Sequence, residues 1–170
     1  AMDAPAAPAP PPEPPKPVAE PVVVPPMPPE DTIGSKSLDD LNRAIESTLT
    51  ISRNEWKYVA ELVTHFDPDL PPVPCLAGDI NQVILNLVVN AVEATAAEGQ
   101  VSITAVSRER AGQPGIAVGV TDTGAGIPAE FLPRVFDAFF TTKPQGEGTG
   151  LGLAISNELV EKMGGQLFCS

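Results

Sequence analysis

The sequence predicts an α/β sandwich in which a mixed β-sheet is covered on one face by helices. Two observations lead there. Segments with apolar residues at helical spacing interleave with short strand-like runs, in the order helix, strand, helix, strand, strand, helix, strand. Glycine and proline clusters fall between these segments rather than inside them, and no internal repeat is present.

The elements follow in chain order. Thirteen of the chain's 21 prolines lie in residues 1–30, a stretch of mostly Pro, Ala, Val and Glu. Proline fixes φ and removes a backbone donor, so residues 1–31 read as a disordered or semi-rigid linker, native or from cloning. Val22, Val23 and Val24 are too short a run to change that reading. A globular domain is expected over 32–170. Leu38, Leu41, Ile45 and Leu49 recur at helical spacing with charged residues between them. A strand is expected from Trp56 to Phe66, then a proline-imposed loop through Pro74. The clearest helix runs from Asp79, the expected N-cap, to about Ala97, with Gly99 as its stop. Val101 to Ser107 and Gly115 to Thr121 read as neighbouring strands around a turn with Gly112 and Pro114. A long glycine- and phenylalanine-bearing segment follows. Leu151 to Met163 forms the last helix, ended by Gly164 and Gly165, and Gln166 to Cys169 begins another strand.

Composition narrows the function. The formal net charge of −12 argues against nucleic-acid or anionic-membrane binding, which need clustered Lys and Arg. A polyanionic ligand here has to be held by local devices: backbone amides, a helix N-terminus, a metal, a few placed cations. No apolar run approaches the roughly 20 residues of a membrane span. Cys75 and Cys169 show no metal-ligand spacing and read as two thiols of a reducing, cytoplasmic compartment.

Four segments carry chemistry. Asn86 and Asn90, four residues apart, share a helix face with Gln82 and Glu93. An amide oxygen is a neutral hard ligand that suits Mg²⁺ already balanced by phosphates, although two such amides also suit a merely structural boundary. Asp122-Thr123-Gly124-Ala125-Gly126-Ile127 closes an apolar strand; its acid can accept a hydrogen bond at a pocket base, and its glycines allow close backbone approach. Gly146-Glu147-Gly148-Thr149-Gly150-Leu151-Gly152-Leu153 runs straight into a helix, freeing amides for oxyanions at a positive helix end. It is neither a dinucleotide fingerprint nor a Walker loop. Between these glycine motifs, Phe136 to Lys143 crowds three phenylalanines into a polar loop, the pattern of a lid, with Lys143 and Arg134 as candidate phosphate cations.

In order and spacing these segments resemble the N, G1, F and G2 boxes of the Bergerat-type ATP site of sensor histidine kinases, over about Ser35 to Ser170. The compact Phe-Phe-Thr-Thr-Lys lid resembles a short-lid subgroup. The resemblance implies a Bergerat fold with ATP and Mg²⁺ between the Asp79 helix, the lid and the Leu151 helix. It implies that Asn90 ligates Mg²⁺ with Asn86 near metal or phosphates, that Asp122 binds the adenine amine, and that Gly124, Gly126 and Ile127 shape the adenine pocket. Phe140, Thr141, Thr142 and Lys143 would form the lid, Lys143 approaching the outer phosphates. Gly148, Thr149, Gly150, Leu151, Gly152 and Leu153 would wrap the triphosphate. Asn86 stands where related ATPases carry a water-activating glutamate, and an amide takes no proton near neutral pH, so phosphoryl transfer to a partner's histidine is expected. The one histidine, His65, is not followed by an acid and is not read as a phosphoacceptor.

The implied partners are a phosphoacceptor helical hairpin of the same kinase and a response regulator. The isolated chain is expected to be a monomer, the whole kinase a homodimer. Two departures stand out: Ala138 replaces a frequent proline of the F box, and Ser170 precedes the family's last glycine-bearing strand, without which the sheet would have an unpaired edge. The rival readings are a non-catalytic nucleotide-binding scaffold, an ATPase of the same superfamily and an anti-sigma-type serine kinase.

Overall fold

Amphipathic helices and alternating strands can bury their apolar sides only against one another, and the computed structural model shows how they do so. It describes residues 22–24, 38–39, 41–71, 73–74, 76–95, 99–110, 113–144 and 148–169. In chain order the elements are β1 (Val22–Val24), β2 (Leu38–Asp39), α1 (Leu41–Ile51), α2 (Arg53–Trp56), β3 (Ala60–Phe66), β4 (Val73–Pro74), α3 (Ala77–Ala94), β5 (Gly99–Arg110), β6 (Gln113–Asp122) and α4 (Gly152–Lys162). A 3₁₀ turn, Leu132–Arg134, interrupts the long segment before α4.

The main sheet has the order β1-β6-β5-β3. β3 and β5 are parallel and are joined across α3, whereas β5 and β6 form a long antiparallel hairpin. The strand period of two puts Val101, Ile103 and Ala105 of β5 and Ile116 and Val118 of β6 on the helical side, where all five are buried. α3 packs on β5 and β6 and contacts both α1 and α4. Ile45, Val88 and Val160, one from each long helix, meet Ile103 and Ile116 of the sheet with almost no residual exposure. Burying each such side chain contributes about 1.5–3 kcal/mol. The predicted sandwich of a mixed sheet and a helical layer is therefore present.

Several boundaries differ from the sequence reading for tertiary reasons. Leu38 belongs to β2, which pairs with β4, not to the first helix. Trp56 ends the short helix α2, so the strand starts at Ala60; Tyr58, expected to line the strand, is 86% exposed. The cap of α3 is Leu76, and Asp79 sits within the first turn, where its carboxylate pairs with Lys162 of α4 at 3.5 Å. The other end of α3 comes at Thr95, whose N–H donates to the carbonyls of Ala91 and Val92. Gly99 does not stop the helix but opens β5, in register with Ala60. Only an isolated bridge at Gln166 remains of the strand expected at Gln166 to Cys169, although Leu167 is buried in the core.

The outer edge of β6 is not bare. Val22, Val23 and Val24, given no element by the sequence reading, pair antiparallel with Val118, Ala117 and Ile116. A run of β-branched residues suits a strand, and a sheet edge offers it unpaired donors and acceptors. The rest of the proline-rich stretch, Cys75 and the Gly146-Glu147 pair lie outside the described residues.

Candidate nucleotide site

A cavity of about 1360 Å³ lies between α3, the end of β6, the lid segment and the start of α4. Fifteen of the sixteen residues that the resemblance assigns to the site line it; Leu151, at the N-cap of α4, does not.

The α3 wall presents Asn86, Asn90 and Glu93, one helix face by their spacing. The Asn86 amide is fully engaged. Its nitrogen donates to the Gly152 carbonyl at 3.0 Å and to Ser156 Oγ at 3.1 Å, while its oxygen accepts from Gln82 at 2.9 Å. Ser156 is wholly buried and donates in turn to the Gly152 carbonyl at 2.8 Å. Asn86 therefore braces α3 against the first turn of α4, a role the sequence reading did not assign. One turn on, Asn90 is half-buried and its amide nitrogen lies beside Gly152, in reach of the same helix start.

At the end of β6, Asp122 accepts from the Gly124 N–H at 2.8 Å through Oδ1. Gly124 has to be glycine: a Cβ there would stand 2.3 Å from the Ala94 carbonyl oxygen at the end of α3. The Asp122 turn is thus pressed against the α3 terminus, with Val118, Val120, Phe131 and Ile127 supplying apolar surface around the cavity.

The lid is folded over the opposite side. Phe140 packs against Phe131 with ring centroids 5.7 Å apart, and the Arg134 guanidinium lies 4.6 Å from the Phe140 ring centroid. Arg134 also pairs with Asp137 at 3.5 Å. This corrects the sequence reading: Arg134 clamps the lid from outside and does not line the cavity. Lys143 does line it, its ammonium donating to Glu93 Oε2 on α3. Phe139 occupies the left-handed region at φ 66°, 75% exposed, and its N–H donates to the Gly150 carbonyl at 2.9 Å. A bulky residue held there stores about 1–3 kcal/mol of strain.

The first turn of α4 has neither a side-chain cap nor an acidic residue. Gly152 and Leu153 of that turn line the cavity with Gly150, and an uncapped helix N-terminus is the kind that receives phosphate. An uncapped helix start, a nearby amide oxygen and a single lysine are the local devices that a chain of net charge −12 needs to hold a polyanion.

Sequence reasoning missed Val118, Val120 and Phe131, and also Thr48 and Ile51 of α1 with the adjoining Ser52, which line the cavity too. The β6 valines are signalled by strand alternation running into Asp122. The α1 contribution has no local signal, because it depends on how α1 packs on α3.

Comparison with known proteins gives the family of this chain. ZraS of Escherichia coli K12, a sensor histidine kinase, is 38% identical over 129 residues, covering 75% of this chain and 26% of that protein. NtrB of Rhizobium meliloti, a sensory histidine kinase/phosphatase, is 32% identical over 147 residues, covering 76% of this chain and 37% of that protein. The chain thus spans a quarter to a little over a third of these relatives. Among solved structures, the catalytic domain of the histidine kinase ThkA in a nucleotide-free form superposes with a TM-score of 0.62 at 33% identity, covering 74% of this chain and 79% of that one. Full-length ShkA in complex with AMPPNP gives 0.65 at 28% identity, covering 79% of this chain and 29% of that one. Residues 76–170 match the family described as "Histidine kinase-, DNA gyrase B-, and HSP90-like ATPase". The chain, with its Bergerat-type sandwich, belongs to that family of ATP-binding domains.

Proposed function

We propose that the chain binds ATP with Mg²⁺ and donates the γ-phosphoryl group to a histidine on a separate helical hairpin of the same kinase, in a two-component pathway that ends on a response regulator. The observation that carries the reading is the state of position 86. The family includes ATPases, and hydrolysis needs a base that takes a proton from water. Here that place holds an amide with both its groups committed to Gln82, Gly152 and Ser156. Such a group holds α4 in place and moves no proton. The nucleophile then has to come from another domain, because His65 lies on β3 and does not line the cavity.

The remaining residues divide the work. Asp122 accepts the exocyclic amine of adenine, and the Gly124 turn fixes the carboxylate by its N–H. Asn90 offers an amide oxygen to Mg²⁺, which neutralises phosphate charge when bound. The amides of the α4 start and the Lys143 ammonium receive the phosphates. Transfer rests on positioning and charge neutralisation, which preorganised groups of this kind supply. The compact Phe-Phe-Thr-Thr-Lys lid fits a short-lid kinase.

Calorimetric titration with a non-hydrolysable ATP analogue, with and without Mg²⁺, tests the reading on wild type, Asn90→Ala and Asp122→Ala. Wild type is expected to bind with Mg²⁺-dependent affinity, and Asn90→Ala to lose that dependence. Asp122→Ala removes a charge-assisted hydrogen bond of about 1.5–3 kcal/mol, roughly 10- to 100-fold in affinity. A folded wild type that binds no nucleotide sinks the proposal. Added phosphoacceptor hairpin should then acquire acid-labile phosphohistidine, the result that separates a kinase from a nucleotide-binding scaffold.

A further inference from the structure

Glu93 and Lys143 face each other across the cavity mouth. Glu93 lies on the last turn of α3, and Lys143 lies at the end of the lid, 50 residues away in sequence. Lys143 Nζ donates to Glu93 Oε2, with the two side chains 37% and 45% exposed. Lys143 is the single cation among the described residues that line the cavity. Its backbone N–H donates locally, to Thr141 Oγ1 at 3.1 Å, so the ion pair is what ties this end of the lid to α3. Glu93 also continues the face that begins with Asn86 and Asn90, one turn beyond Asn90.

Carboxylate and phosphate are alternative anionic partners for one ammonium. We propose that Glu93 is a placeholder for the outer phosphates of the nucleotide: it latches the lid to α3 while the cavity is empty and yields Lys143 when a polyphosphate arrives. This rests on the reading of the cavity as a nucleotide site. The latch has two consequences. It keeps the lid ordered beside the cavity, so that closure on the ligand is a short exchange of partners rather than the ordering of a free loop. It also lowers apparent affinity, because the ligand has to break the pair before it gains the lysine. Partly exposed pairs are weak, so the loss is small, about 2- to 5-fold.

The test is a double-mutant cycle on the full chain with Glu93→Gln, Lys143→Met and the double variant. An ATP analogue with Mg²⁺ is titrated at low salt, and hydrogen exchange of residues 136–144 is followed without nucleotide. Both substitutions fall on partly exposed side chains and leave the core intact. Glu93→Gln should raise affinity about 2- to 5-fold when Lys143 is present and change nothing in the Lys143→Met background. Lid exchange should quicken to the same degree in all three variants. The latch is overturned if Glu93→Gln weakens binding, since the carboxylate then serves the ligand itself. It is also overturned if the gain persists without Lys143, which is general charge relief, or if lid exchange does not change. If wild type binds no analogue, the nucleotide reading fails, and the nucleotide-free exchange comparison still judges the latch.

Discussion

Gly150→Ala separates a local backbone penalty from a displacement of the lid. Gly150 has φ +64°, and a Cβ there would stand 2.4 Å from the Phe139 carbonyl carbon and 2.7 Å from the Phe140 oxygen. Carbon atoms in good contact sit about 3.5 Å apart, so the lid backbone has to withdraw by about 1 Å. The new residue also pays about 1–2 kcal/mol for a left-handed conformation. Withdrawal breaks the 2.9 Å hydrogen bond from Phe139 N–H to the Gly150 carbonyl, worth about 1 kcal/mol more. Gly126 is the internal control: its φ is +72°, yet nothing lies within 4 Å of its would-be Cβ. Gly126→Ala pays the conformational penalty and displaces nothing. Urea unfolding and calorimetric titration with an ATP analogue are measured on both. Both variants should lose stability, Gly150→Ala the more, and Gly150→Ala should lose about 10-fold or more in affinity. A 1 Å misplacement should also slow phosphoryl transfer to an added hairpin by up to about 100-fold. If Gly150→Ala loses no more stability than Gly126→Ala and binds and transfers as wild type does, the Gly150 contact does not position the lid and the reasoning is wrong.

Three more outcomes are expected. Asn86→Ala removes the brace between α3 and α4 and leaves the buried Ser156 hydroxyl one partner short; urea titration should show a loss of about 1–3 kcal/mol, with no gain in ATP hydrolysis. Ile103→Ala empties a fully buried position in the central strand and should cost about 2–5 kcal/mol by the same titration, while Ile103→Val costs about 0.5–1.5 kcal/mol. Deleting residues 1–31 uncovers the β6 edge that β1 occupies, and sedimentation should then show association that grows with protein concentration.

What was legible in the sequence is what backbone geometry imposes locally. Gly124, Gly126 and Gly150 stand where a side chain would strike the Ala94 carbonyl, be held at an unfavourable positive φ or strike the lid, so the glycine spacing alone drew attention to these two segments. The Asn86 and Asn90 pair was visible because four residues is a helix turn. What was not legible depends on partners distant in sequence. Asp79 looked like a helix cap until Leu76 took that place and Lys162, 83 residues on, paired with it. Arg134 looked like a phosphate cation until Phe140 and Asp137 claimed it. The valines at 22–24 carried no helical or alternating pattern, and their strand exists because β6 offers an edge.

At position 86 an amide does what a carboxylate would not. A carboxylate facing the α4 start would meet the Gly152 carbonyl that Asn86 now satisfies as a donor, and would repel it. An amide is both donor and acceptor, so it joins Gln82 on its own helix to Gly152 and Ser156 on the next. The same amide therefore fixes the start of α4 beside Asn90. Under the proposed function that rigidity lies where the phosphates would be received, which suits a domain that holds a nucleotide intact until a partner presents the nucleophile.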